Sequence, residues 1–87
     1  MKVYVLTSEY ANVDSGEQNT RVVGVYTDYK KAKAQFELEV ISAREDMDGY
    51  DCVEERDGWE NDCWVIEEES NYFALHCTIQ IHTVELQ

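Results

Sequence analysis

Residues 28–47 read DYKKAKAQFELEVISAREDM, and the spacing within them decides the fold. Tyr29, Ala32, Phe36, Val40, Ala43 and Met47 recur at intervals of 3, 4, 4, 3 and 4, which lays one apolar face along an α-helix from about Asp28 to about Asp46. Thr27 or Asp28 can cap its first turn, and Gly49 is a natural stop. Lys30, Lys31 and Lys33 stand in the first turns and Glu45 and Asp46 in the last, an order that opposes the helix dipole. Such a helix rests on packing, so its Tyr29–Met47 stripe needs an apolar surface to lie against.

The flanking sequence supplies strands. Residues 2–7, KVYVLT, alternate, with Val3 and Val5 on one face and Tyr4 and Leu6 on the other. Residues 11–19, ANVDSGEQN, carry turn chemistry, and residues 20–26, TRVVGVY, form a second strand antiparallel to the first. Gly24 inside that strand signals a bulge or a close approach. From Tyr50 the chain reads as a meander. Asp57-Gly58 as a two-residue type I′ loop sets Arg56 opposite Trp59 and Cys52 opposite Cys63. A three-residue loop at 69–71 then sets Cys63 opposite Cys77. Phe73, Leu75, Cys77, Ile79 and Ile81 share one face of the last strand, and His76, Thr78, Gln80 and His82 the other. The expected fold is α+β, a two-layer sandwich of one α-helix on an antiparallel sheet in the order β-β-α-β-β-β, forming a single domain over 1–87. With no proline, charge must discourage pairing at the sheet edges.

The formal net charge is −12, and all of it sits in one third of the chain. Between Glu37 and Glu69 there are 14 acidic residues and two basic ones, Arg44 and Arg56; outside that window five acids and five bases cancel. Concentrated charge repels itself, and a spread of surface charge gives the same solubility at lower cost. Two readings follow: a solvated acidic face, or phosphate-like charge presented to a basic groove. The balance argues against direct binding of nucleic acid or anionic lipid, both polyanions, and points to a positively charged protein partner. No apolar run approaches the length of a membrane span, and the N-terminus reads as a strand rather than a signal peptide, so the cytoplasm is the expected compartment.

Within the acidic window, Glu54, Glu55, Asp57, Glu60 and Asp62 cluster about the expected hairpin, with Trp59 and Trp64 among them. Aromatics supply contact energy and charge supplies steering, so these seven are the candidate partner-binding residues. Trp64 and Ile66 share a face opposite Cys63 and Val65, which makes an exposed apolar patch there an expectation; core packing is the other reading. Cys52, Cys63 and Cys77, if opposed in one row, could converge on one Zn2+ ion, with no fourth ligand assigned. His76 points to the other face and His82 is several residues away. The spacing lacks a C-x2-C pair, and core thiols are the alternative. No Gly-rich phosphate loop, G-x-S-x-G or H-E-x-x-H is present, so a non-enzyme is expected.

The stretch KVYVLT followed by RVVGVYTDYKKAKAQFELEV resembles small domains of bacterial and phage origin that open with a strand, return with a "GVY"-like strand and enter a Lys- and Ala-rich helix. The second half, in size and charge, resembles the small acidic phage inhibitors that include anti-CRISPR and anti-restriction proteins, several of which act as DNA mimics. That resemblance implies a phage or mobile-element inhibitor that blocks nucleic-acid loading by a basic enzyme such as a CRISPR-associated nuclease; a monomer or small homo-oligomer is expected. A structural or regulatory interaction module, with zinc as a possible staple, is the alternative.

Overall fold

The computed structural model describes residues 1–12, 16–46, 52–56, 62–68 and 75–86, with residues 53–56 and 68 described by their backbone alone. Its elements are β1 (Lys2–Asn12), β2 (Glu17–Tyr26), α1 (Tyr29–Asp46), β3 (Cys52–Arg56), β4 (Cys63–Glu68) and β5 (Leu75–Glu85). The strands form one antiparallel sheet in the order β2-β1-β5-β4-β3, with α1 packed against one face. This is the expected α+β sandwich in the expected order.

The helix forms as its spacing dictates. Asp28 caps it: its carboxylate accepts from the Lys30 amide at 2.9 Å, and its carbonyl accepts from the Ala32 amide at 3.2 Å. Ala32, Phe36, Val40 and Ala43 are buried, with Tyr29 packed against the same cluster; Met47 and Gly49 lie outside the described residues. Opposite them stand Leu6 of β1, Trp64 and Ile66 of β4, and Leu75, Cys77, Ile79 and Ile81 of β5. No buried side chain among the described residues is polar or charged, so the core is held by apolar burial, roughly 25 cal/mol for each Å² removed from water.

Three features differ from the sequence reading. First, β1 runs on to Asn12 and β2 begins at Glu17, so the turn is shorter than 11–19. The polar stretch Ser8–Asn12 stays extended because it pairs on both sides, with β2 and with β5. Gly16 has φ 71°, the left-handed conformation that favours glycine.

Second, the β1–β2 register slips between Leu6 and Thr7: Leu6 pairs with Gly24 but Thr7 pairs with Val22. Val23 is the extra residue of a bulge, and it packs against the core. Gly24 also serves a close approach, since a Cβ there would meet the Tyr26 ring at 2.6–2.9 Å. Past the bulge the faces exchange, so Arg21 turns toward the helix and Val22 away from it.

Third, both registers of the meander differ. Cys52 pairs with Glu68 and Arg56 with Trp64; Cys63 pairs with Gln80 and Ile66 with Cys77. Arg56 opposite Trp64 does not fit a two-residue loop at Asp57-Gly58, which itself lies outside the described residues. Each register is offset by an odd number of residues, and an odd offset sends side chains to opposite faces.

Candidate functional site

The sheet order sorts the charge. The strands of the acidic window, β4 and β3, lie together at one margin, with β3 as the edge strand. Glu54 and Glu55 occupy successive positions on that edge, paired with Ile66 and Val65 of β4, and Glu67 and Glu68 close the far end of β4. Glu45 and Asp46 end the helix, whose first turn holds no acid and carries lysines instead. Charge on an edge strand discourages pairing with another sheet and leaves the margin available to a partner that carries the opposite sign.

The candidate residues separate within this frame. Asp57, Trp59 and Glu60 lie outside the described residues, as do the side chains of Glu54 and Glu55. Asp62 is engaged within the fold. The Tyr29 hydroxyl donates to its carboxylate, Lys33 Nζ lies 3.8 Å from the same oxygen, and its carbonyl accepts from the Ile81 amide at 2.7 Å. Asp62 thereby ties the start of β4 to the first turns of α1 and to β5. Trp64 is fully buried and Ile66 nearly so. The expected exposed patch at Trp64 and Ile66 is corrected: these side chains face α1, and the bulkier member of each alternating pair on β4 went inside. Arg44 of the helix sits over the Trp64 ring at 5.9 Å, so the indole is shielded on its outer side by a cation.

The cysteine row is corrected for the same reason of register. Cys77 lies in the core beneath α1, and Cys52 packs against the edge of that core. Cys63 lies on the other face, in the alternation opposite to Trp64 and Ile66. The three thiols therefore do not converge. Among the described residues, no three His, Cys, Asp or Glu side chains stand together as a metal centre would require. Burial pushes the Cys77 thiol up to about 11; Asp46 and Glu39 add to the rise, while Arg21 and a hydrogen bond with Ser8 oppose it. A thiol held that high stays protonated at neutral pH and is a poor nucleophile.

On the face away from the helix, Thr78 Oγ1 lies 2.7 Å from His76 Nε2, and His76 Nδ1 lies 3.1 Å from Glu67 Oε1. Hydroxyl, imidazole and carboxylate in that order are the groups of an acyl-transfer triad. Thr78, however, stands in the middle of the central strand, flanked by ladders to Glu9 of β1 and Val65 of β4. Amides committed to a ladder cannot also converge on a developing oxyanion. The arrangement orients a half-buried histidine and satisfies its ring. His82 is held similarly, 2.9 Å from Thr7 Oγ1.

A cleft of about 440 Å³ opens on the helix side, between the C-terminal half of α1 and strands β2, β1 and β5. Its polar wall includes Arg21, which meets Glu39 at 3.2 Å, together with Glu17, Ser42 and Asp46; Leu75, Cys77 and Ile79 form the floor. Arg21 escaped the sequence reading. The available signal was a lone guanidinium in an otherwise apolar strand, TRVVGVY, followed by the glycine that marks the bulge. Glu67, as the partner of His76, was also missed.

Residues 1–71 match a family described as Domain of unknown function (DUF7336). No curated protein and no solved structure matches the chain.

Proposed function

We propose that this chain, which belongs to the DUF7336 family, is a non-enzymatic inhibitor that presents its acidic margin to a basic, nucleic-acid-handling enzyme and blocks nucleic-acid loading by competition. The preferred target is an RNA-guided CRISPR nuclease, met in the cytoplasm of a bacterial host by a protein of phage or mobile-element origin. The observation that carries the reading is the concentration of the whole net charge of −12 between Glu37 and Glu69. The edge position of β3 supports the reading, because a margin can enter a groove that a sheet face cannot.

Competition tests it. The chain is added in increasing amounts to guide-loaded CRISPR nucleases, and capture of a labelled target duplex is followed by gel shift. The expected result is loss of DNA capture by the target enzyme, with no shift of free DNA or RNA by the chain itself. DNA capture that stays unchanged at saturating inhibitor would refute the proposal.

A further inference from the structure

The helix covers one face of the sheet, and among the described residues nothing covers the other. An antiparallel sheet with one solvated face ordinarily puts polar residues on it. This one does so over only part of its length. Pleat and register place Val3, Val5, Val22, Val25 and Val84 on the outward face in adjoining rows: Val3 beside Val84, Val25 beside Val5, and Val22 beside Thr7. The Leu86 amide donates to the Met1 carbonyl at 2.7 Å, which extends the same ladder by one more outward pair. Exposure is 78% at Met1, 61% at Val22 and at Val25, 41% at Val84 and 48% at Leu86. These five, out of seven large exposed hydrophobics, form one continuous patch; the other two, Leu38 and Ile41, are on the helix.

Among the described side chains of β2, β1 and β5, Glu9 is the one charged residue at an outward position, although the chain carries −12. Glu9 and Glu67 are the acidic residues at outward positions whose side chains are described; Glu67 lies on β4, 3.1 Å from His76, and Glu9 lies 3.5 Å from Thr20 Oγ1. A basic partner has little to hold here. An identical copy meets the same valine rows, with both acidic margins left at the rim. The area is that of a weak, reversible dimer. β2, β1 and β5, three strands of 10–11 residues, at about 3.3 Å per residue and 4.8 Å between strands, cover about 500 Å². Weak interfaces bury under about 1,200 Å² in total, or about 600 Å² from each partner.

We infer that the outward sheet face is a homodimer interface, in which two copies pack sheet to sheet about a two-fold axis with their helices outside. The contact is isologous, so each valine acts twice. The two sheets would stand about 10 Å apart, the spacing of a β-sandwich. This inference does not depend on the inhibitor reading, because it uses the face that the acidic margin leaves free.

Sedimentation equilibrium of the full chain over a wide concentration range is the test. The expected result is a species of twice the 10.1 kDa chain mass at the upper concentrations. Dimerisation should tighten as salt rises, since screening relieves repulsion between two anionic copies. The double substitution Val22→Lys and Val25→Lys, at positions already mostly exposed, should weaken the dimer by more than about 100-fold, because four buried valines become lysines at an interface of apolar character. Val84→Lys on the central strand repeats the test should the β2 variant fail to fold. Leu38→Lys with Ile41→Lys, on the helix, should leave the dimer intact. A wild-type chain of monomer mass throughout, a dimer that survives the valine substitutions, or one lost only through the helix substitutions overturns the inference.

Discussion

Asp62→Ala severs two links at once, and the structure gives the size of the effect. The Tyr29 hydroxyl donates to the Asp62 carboxylate in a partly buried setting, and a hydrogen bond to a carboxylate contributes about 1.5–3 kcal/mol. Lys33 Nζ, 3.8 Å from the same oxygen, adds about 0.5 kcal/mol as a partly screened ion pair. The variant should lose about 2–3 kcal/mol. In a domain of this size that lowers Tm by about 10–20 °C. Asp62→Asn keeps an acceptor for Tyr29 and should lose about half as much. Urea denaturation followed by circular dichroism measures each variant. Adding Tyr29→Phe completes a double-mutant cycle, whose coupling should be about 1.5 kcal/mol or more. Additive losses, with coupling under about 0.5 kcal/mol, would refute the claim that Asp62 clasps β4 to α1.

Other expectations follow from the core. Trp64→Ala removes a fully buried indole and should cost about 3–5 kcal/mol, enough to leave much of the chain unfolded, as loss of cooperative thermal unfolding would report. The Cys77 thiol is raised from 9.0 to about 11, so the unfolded chain gives up this proton first. Stability should therefore fall as pH climbs from about 9 to 11, by roughly 3 kcal/mol, and Cys77→Ala should flatten that slope in denaturation series at each pH. A fragment of residues 1–71, the matched stretch, lacks β5, which pairs with both β1 and β4; its amides should exchange as an unfolded chain's do.

The helix was legible because its apolar spacing persists from Tyr29 to Ala43 and no alternative period competes with it. The inner face of β5 was legible because Leu75, Cys77, Ile79 and Ile81 alternate without interruption. The face of β4 was not, because Cys63, Trp64, Val65 and Ile66 are all apolar and alternation alone does not say which pair is inside. The register depended on a turn placed at Asp57-Gly58, and the observed pairing of Arg56 with Trp64 is centred further along the chain. One odd offset moved Trp64 into the core and separated Cys63 from Cys77. Arg21 reached the cleft through a bulge, whose presence Gly24 announced but whose effect on the faces on either side it did not. The concentration of charge between Glu37 and Glu69 is read from the sequence alone and needed no register.

The salt dependence of binding to a guide-loaded nuclease, the target proposed above, tests the charge most directly. Calorimetry would compare the native chain with the Glu54→Lys/Glu55→Lys variant, whose substitutions fall on the edge strand. The logarithm of the native association constant should fall steeply and linearly with the logarithm of salt concentration, as it does when phosphates meet a basic groove. The variant should bind weakly with a shallower slope while keeping its thermal unfolding. Equal affinity for both proteins, unaffected by salt, would contradict binding through the acidic margin.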